Sequence, residues 1–225
     1  MKGKLIVIEG TDCSGKETQA NSLVDFLNQN GYMSIKCAFP NYNSPTGKII
    51  AGAYLGKEGY MDPVFDEGAT NVDPYCASLL YAMDRKYNIK QIIEYLNEGY
   101  NVVLDRYVAS NMAHQGAKYE GTERKKFLDF VDKLEYGLLN LPKPDLSLFL
   151  HMPIWASKLL KADRAERPDQ HEQAENYLSK SEETYLEIIK MQSFITIECT
   201  DGDRIKSISE IKDLVCKRVI DFLKK

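Results

Sequence analysis

No apolar run in the sequence approaches the roughly 20 residues that a membrane-spanning helix needs, and the first residues lack the layout of a signal peptide. An excess of positive charge is also missing, because 29 Lys and Arg residues are outweighed by 33 Asp and Glu residues, for a net charge of −4. A general nucleic-acid binder normally has a basic surface. We therefore predict a cytoplasmic protein that has neither a membrane nor a nucleic acid as its partner.

Cysteine motifs are scarce as well. The five cysteines form no C-x-x-C pair and have no histidine at the spacing of metal ligands, so we expect buried thiols in a reducing compartment. Repeats, low-complexity tracts and linkers are also missing from the sequence, and a length of 225 residues suits one α/β domain. We predict a single domain over residues 1–225.

Five short apolar runs, rich in branched residues, have the near-continuous pattern of strands that are buried on both faces. They begin at Leu5, Met33, Asn101, Leu146 and Phe194. Helical patterns occupy about residues 16–30, 74–97, 172–191 and 207–223. Strands that alternate with helices predict an α/β fold, here a five-stranded parallel sheet flanked by helices. We expect the segments 41–71 and 162–171 to be mobile.

The stretch GTDCSGKETQ, residues 10–19, lies between the first predicted strand and the first predicted helix. Its Gly10, Gly15 and Lys16 fit G-x-x-x-x-G-K-[ST], the pattern of a phosphate-binding loop. Backbone amides and a helix N-terminus form an anion cradle in that setting, and Lys16 can reach the β- and γ-phosphates. The predicted ATP-binding residues are Gly10, Thr11, Asp12, Cys13, Ser14, Gly15, Lys16, Glu17 and Thr18.

Glu17 occupies the position at which the pattern has a hydroxyl that binds Mg²⁺. A carboxylate is also a hard oxygen ligand, so Glu17 can serve the metal directly or through water. The dipole of the helix favours an acidic residue in the first turn without any metal. The sequence leaves both interpretations open.

A second candidate segment is NVVLDRYVAS, residues 101–110, in which Asp105 and Arg106 end an apolar run. Open α/β sheets place their ligand sites at the carboxyl ends of the strands. An aspartate there can hold a metal or its waters, and an arginine can clamp a phosphate with two hydrogen bonds. A salt bridge at a strand end would explain the two residues if they stood alone.

Taken together, the segments GTDCSGK, AFPNY, LLYAMDR, DRYVASN and LPKPD resemble the thymidylate kinase family, and they follow one another in that family's order. The resemblance covers about residues 4–152 and is looser beyond. It implies a P-loop nucleoside-monophosphate kinase fold with a short lid near residues 162–171, and phosphorylation of dTMP with ATP as the donor. It also implies a homodimer and a Mg²⁺ cofactor, for which we predict Asp12, Asp105 and Glu17 as the metal-site residues, although Glu17 itself departs from the family pattern.

The resemblance further implies roles around the acceptor nucleotide. Tyr81 would stack on thymine, as rings do with bases generally, although a tyrosine in a helical apolar stripe is ordinarily core. Arg85, one helical turn on, would donate to the base O4, and Asn111 would bond the N3 edge. The complete predicted set for the substrate is Asp12, Phe39, Pro40, Tyr42, Tyr81, Arg85, Arg106, Ser110, Asn111, His114 and Gln115.

Some positions depart from the family pattern. Asn41 and Tyr42 stand where many members have an arginine for the monophosphate, and His114 replaces a ring that excludes ribonucleotides. Cys13 stands where some members have a basic residue in the phosphate loop. We therefore expect the lid, KADRAERPDQHE, to supply the catalytic arginine. The predicted catalytic residues are Lys16, Arg106, Arg164 and Arg167.

Two other functions are compatible with the same segments. The departures at Asn41 and His114 would also suit a kinase for another deoxynucleoside monophosphate. A nucleotide-binding regulator that lost turnover through Glu17 would keep the fold, but it would have no need to retain Lys16, Asp105, Arg106 and the lid arginines together.

Overall fold

The computed structural model describes residues 2–162 and 175–224. Its main sheet has five strands in the order β2-β3-β1-β4-β5, and every neighbouring pair is parallel. The strands are β1 (Leu5–Gly10), β2 (Ser34–Ala38), β3 (Asn101–Asp105), β4 (Leu146–His151) and β5 (Phe194–Glu198). The predicted α/β fold with a five-stranded parallel sheet is confirmed.

The expectation that all five strands are buried on both faces is wrong for two of them. β1 is buried at every residue, and β3 and β4 are mostly buried. β2 and β5 are only partly buried because they form the two edges of the sheet. Two separate hydrophobic clusters cover the sheet, one built around Val102 and Phe149 and the other around Ile6 and Leu148.

The four helical patterns predicted from the sequence correspond to helices of the structure, with shifts of a few residues at their ends, and four further helices among the described residues have no predicted counterpart. α3 begins with Pro74 after Asp73, whose side chain accepts hydrogen bonds from the amides of Tyr75 and Cys76. The helices are α1 (Lys16–Gln29), α2 (Pro45–Ile49), α3 (Pro74–Asn97), α4 (Val108–Gly116), α5 (Gly121–Asp132), α6 (Ile154–Ala162), α7 (Glu175–Met191) and α8 (Ile208–Leu223). A small hairpin, β6 (Thr200–Asp201) with β7 (Arg204–Ile205), precedes α8.

The segment 41–71, which the sequence predicts to be mobile, contains packed structure. α2 continues into a π-helical turn, Ile50–Tyr54, whose residues are all buried. Tyr54 packs with Ala69 and Val72 in a small third cluster that also includes Ala77 of α3. The other segment expected to be mobile, the lid at 162–171, lies outside the described residues except for Ala162.

The strand order places the two candidate motifs side by side. β1 and β3 are adjacent and parallel, with Ile8 opposite Asp105, so the phosphate loop after β1 and the turn after β3 leave the same edge of the sheet. Within the described ranges, no helix is both long enough and apolar enough to cross a membrane.

Candidate active site

A cavity of about 430 Å³ opens at the carboxyl ends of β1, β2 and β3. It brings together side chains from the phosphate loop, the Phe39–Pro40 turn, α3, and the turn that joins β3 to α4. The predicted site residues that line it are Asp12, Cys13, Gly15, Lys16, Glu17, Thr18, Phe39, Pro40, Tyr42, Tyr81, Arg85, Asp105, Arg106, Ser110, Asn111 and His114.

Other predicted site residues do not line the cavity. Gly10 lies beneath the loop, where an added Cβ would come within 2.6 Å of both the Leu150 carbonyl oxygen and Ser14 Oγ. Gln115 is fully buried and donates to the Tyr54 hydroxyl at 3.4 Å. Thr11 and Ser14 are buried as well. Arg164 and Arg167 lie outside the described residues.

The phosphate loop is fastened to the end of β4. The Thr11 hydroxyl donates to the Met152 carbonyl at 2.7 Å and accepts from the Met152 amide at 2.9 Å. Cys13 and Gly15 have positive φ angles of 57° and 74°, which bend the backbone before α1 begins. Tight curvature of this kind makes backbone amides converge on a bound anion.

Lys16 is buried, and its Nζ donates to the Thr11 carbonyl at 2.7 Å. The pKa of Lys16 is lowered to about 8, chiefly by burial and also by the charge of Arg106, while Asp12 and Asp105 act in the opposite direction. The lowered pKa means that the surrounding charges do not fully compensate the buried ammonium. An anion bound in the loop would supply that compensation.

The acidic residues of the cavity suit a magnesium site. Asp105 Oδ1 is buried and makes no hydrogen bond with the described part of the chain. Asp12 lies nearby, with its Oδ1 at 3.6 Å from Arg106 NH2. Mg²⁺ in kinases is usually held by one or two carboxylates, by waters and by substrate phosphates, so these two aspartates fit the ion.

Glu17 has a different environment. Its side chain is 75% exposed, and its Oε1 lies 3.2 Å from Lys36 Nζ. The contact with Lys36 supports the interpretation of Glu17 as an acidic residue of the first helical turn. Glu17 also lines the cavity, where its carboxylate can act on a metal through water.

The turn after β3 is held by a carboxylate that the sequence predictions missed. Glu9, fully buried at the end of β1, accepts from the amides of Tyr107 at 2.7 Å and Ser110 at 3.1 Å. Its other oxygen accepts from the Ser110 hydroxyl at 2.6 Å and the Tyr185 hydroxyl at 3.1 Å. Burial raises the pKa of Tyr185 well above its ordinary value, and Glu9 raises it further, so the phenol stays a donor.

Arg106 is directed by this network. Its φ of 66° lies in the left-handed region, and its amide donates to the Ile8 carbonyl at 3.0 Å. The guanidinium donates from NH1 to Ser110 Oγ at 3.3 Å, and its NH2 is the group near Asp12. A fixed, positively charged fork beside the phosphate loop is well suited to bind a phosphate.

Tyr81, Arg85 and Asn111 gather at the end of the cavity formed by α3 and α4. The Tyr81 ring meets the Tyr54 ring edge-on, with centroids 5.7 Å apart. Arg85 donates from Nε to Glu135 Oε2 at 2.6 Å, and Asn111 Nδ2 donates to Glu135 Oε1 at 3.0 Å. A ring face, a guanidinium and an amide in one place can bind a flat heterocycle that carries polar edges.

The structure shows the surroundings of Asn41 and Tyr42, the two positions at which many family members have an arginine. Asn41 does not line the cavity, because its amide donates to Asp84 and its side chain donates to Asn88. Tyr42 does line it, and Lys57 Nζ lies 4.8 Å from the centroid of its ring. Lys57 therefore places a positive charge beside Tyr42 in the cavity, and no sequence motif predicted it.

His114 packs against α7. Its ring is stacked with Tyr177 at 6.0 Å between centroids and meets Tyr185 edge-on at 6.1 Å. The Tyr177 hydroxyl donates to the His114 carbonyl at 2.7 Å. The imidazole is thus held by rings of the helix that follows the lid segment.

Comparisons with known proteins place this geometry in a family. A family model described as thymidylate kinase matches residues 8–208. The chain is 34% identical to the human thymidylate kinase over 176 residues, which is 78% of this chain and 70% of the human protein. It is also 34% identical to the thymidylate kinase of Brachyspira hyodysenteriae over 198 residues, covering 83% and 84% of the two chains. A solved thymidylate kinase structure from Candida albicans is similar with a TM-score of 0.74 at 27% identity, over 99% of this chain and 93% of that one.

Proposed function

The chain belongs to the thymidylate kinase family, and from that premise we propose how its own residues transfer a phosphoryl group from ATP to dTMP. The family match establishes the activity and the P-loop kinase fold. Assignment of individual residues rests on the cavity, in which an anion cradle and a set of base-binding side chains occupy one space of about 430 Å³. That shared space is the observation that carries the proposal.

The donor end is the phosphate loop. Its amides and the ammonium of Lys16 hold the ATP phosphates. Asp105, together with Asp12, would hold Mg²⁺, which neutralises charge on the phosphates when it is bound. The support for the metal is the buried Asp105 Oδ1, which has no hydrogen-bond partner among the described residues.

The acceptor end is formed by Tyr81, Arg85 and Asn111, and Arg106 lines the same cavity beside Asp12 of the phosphate loop. Tyr81 stacks on the base, and Arg106 orients the dTMP phosphate toward the donor. An ionised phosphate is already a nucleophile, so the reaction needs no strong base from the protein. These residues act by positioning the reactants and by neutralising charge.

A further positive charge comes from the lid in this proposal, from Arg164 or Arg167. The support is the composition of the phosphate loop, in which Cys13 occupies the position after Asp12 and Lys16 is the one basic side chain. Charge that develops on the transferred phosphoryl group is commonly met by an arginine in phosphoryl-transfer enzymes.

We also propose that the protein is a homodimer joined through α3. Tyr75, Leu79, Met83 and Tyr87 recur every four residues, and all four side chains are exposed on one face of that helix. Leu79→Glu should convert the dimer to a monomer in light scattering after gel filtration. Val64→Glu, at an exposed apolar residue away from α3, is the matched control. A wild-type protein that is monomeric at micromolar concentration would refute the proposal.

The test of the residue assignments is a coupled assay of ADP release. Wild-type protein with Mg²⁺-ATP should use dTMP best among dTMP, dUMP, dCMP, dGMP and UMP. Lys16→Ala should abolish turnover with every acceptor, because it acts at the donor end. A preference for dGMP or dCMP would overturn the assignment of the base subsite. The cytoplasmic location and the lack of a nucleic-acid partner stay predictions.

A further inference from the structure

Glu135 lies in a π-helical segment, Lys133–Leu138, that continues α5, and no sequence motif includes it. Its side chain is fully buried, and it is not among the residues that line the cavity. We propose that Glu135 is a positioning residue that sets the hydrogen-bond polarity of the base subsite and so decides between thymine and cytosine. This inference rests on the proposed binding of dTMP at Tyr81, Arg85 and Asn111.

The first contact fixes Arg85. Both oxygens of Glu135 accept from its guanidinium, Oε2 from Nε at 2.6 Å and Oε1 from NH2. Arg85 is itself buried, and although burial alone would lower its pKa, Glu135 raises it above the ordinary value. The pairing engages Nε and NH2 and leaves NH1 as the guanidinium nitrogen that Glu135 does not hold. Arg85 can therefore present a donor to the cavity without leaving its partner.

The second contact fixes the amide of Asn111. Its Nδ2 donates to Glu135 Oε1 at 3.0 Å and to the Ser78 carbonyl at 3.3 Å. Both partners are acceptors only, so turning the amide over would bring Asn111 Oδ1 against a carboxylate and a carbonyl oxygen. The carboxylate thereby forces Oδ1 to the opposite side. That oxygen is buried and has no hydrogen-bond partner in the described part of the chain.

The carboxylate of Glu135 thus makes Arg85 a donor and Asn111 an acceptor toward the base. Thymine offers the complementary pair, an O4 that accepts and an N3–H that donates. Cytosine has an amino donor at C4 and an acceptor at N3, so it would oppose a donor to Arg85 and an acceptor to Asn111. Buried polar groups left unpaired make such a site reject the wrong base strongly.

The substitution Glu135→Gln would remove the constraint. The amide that it introduces could donate to Asn111 Oδ1, so that the Asn111 side chain could present either of its ends to the base. The shape of the side chain would change little. The expected effect is therefore a loss of discrimination between bases, with a small effect on the donor end of the cavity.

The experiment compares Glu135→Gln with wild type in steady-state kinetics with dTMP and dCMP. We expect the ratio of kcat/KM for dTMP over dCMP to fall at least tenfold and KM for dTMP to rise, while KM for ATP stays within twofold. Glu187→Gln is the matched control, because Glu187 pairs with the buried Arg124 outside the cavity. That variant should keep the wild-type ratio.

The outcomes separate the inference from the function on which it rests. If wild type does not phosphorylate dTMP, the proposed function fails. If wild type prefers dTMP and a folded Glu135→Gln keeps the ratio, this inference alone is refuted. Should Glu135→Gln not fold, a double variant that combines Asn111→Asp with Glu135→Gln exchanges the acid and the amide between the two positions. It keeps a negative charge beside Arg85 and offers only acceptors at position 111. A folded exchange variant must retain the preference for dTMP, and its loss would refute the inference.

Discussion

The pKa of Lys16 leads to a pH dependence that can be measured without any substrate turnover. Burial lowers this pKa to about 8, well below the 10.4 or so of an ordinary lysine. The ammonium form is the one that binds phosphate. The affinity for ATP should therefore be at its maximum at pH values below this pKa and should fall as the pH rises through it.

The size of the effect follows from the same value. One unit above its pKa, about a tenth of a lysine population keeps its proton, so the apparent affinity of the free protein for ATP should fall roughly tenfold between pH 7 and pH 9. A lysine with an ordinary pKa would be almost fully charged at pH 9. Once ATP is bound, its charge favours the ammonium, so kcat should depend on pH less than kcat/KM for ATP does.

Calorimetric titration of ATP between pH 6.5 and pH 9.5 measures this affinity directly. Lys16→Arg is the control, since a guanidinium stays charged over the whole range. That variant should bind ATP with an affinity that changes little with pH. An affinity of the wild type that is constant from pH 7 to pH 9, or an equal decline in Lys16→Arg, would refute the assignment of the decline to Lys16.

Three further predictions concern single side chains. Glu17→Ser should leave turnover intact and change the dependence of the rate on Mg²⁺, because Glu17 serves the metal in this prediction. If Glu17→Ala changes neither turnover nor the Mg²⁺ dependence, Glu17 is only an acidic residue of the first helical turn, paired with Lys36. Arg85→Ala should raise KM for dTMP far more than KM for ATP, and equal losses would contradict its place at the base. Arg164→Ala or Arg167→Ala should lower kcat by on the order of 10³-fold with little change in ATP affinity; near-wild-type turnover of the double variant would show that the lid arginines are not catalytic.

The local patterns of the sequence predict most of the fold because strands and helices here carry their own signals. The apolar runs at β1, β3 and β4 correspond to strands inside the sheet, where both faces are covered. The same pattern misleads at β2 and β5, since a run of branched residues does not tell whether a strand has one neighbour or two. The π-helical turns at 50–54 and 133–138 have no periodic signature in the sequence. The packing of the segment 41–71, which contains the first of them, could therefore not be predicted.

The cavity shows the same division between local and distant information. Residues inside contiguous motifs, such as Asp12, Lys16 and Asp105, are predicted as site residues and do line it. Glu135 could not be predicted, because its meaning depends on Arg85, 50 residues away in the chain. Glu9 did carry a signal, as an acidic residue within the apolar run LIVIEG. A carboxylate buried in a central strand requires partners, and the search for them would have led to the turn after β3.

Glu9 also explains why a strained backbone is tolerated at Arg106. A non-glycine residue with a φ of 66° is uncommon, and the conformation needs support from its surroundings. Two amides that follow Arg106, those of Tyr107 and Ser110, converge on one oxygen of Glu9. Burying a charged carboxylate is costly unless hydrogen bonds compensate it, and here four of them do. The strand that leads into the phosphate loop thereby holds the arginine that we propose binds the acceptor phosphate. Because Tyr185 of α7 donates to the same carboxylate, the helix that follows the lid segment is joined to that arrangement. The phosphate loop, Arg106 and α7 are thus all connected to the buried side chain of Glu9, and a substitution of Glu9 would disturb all three together.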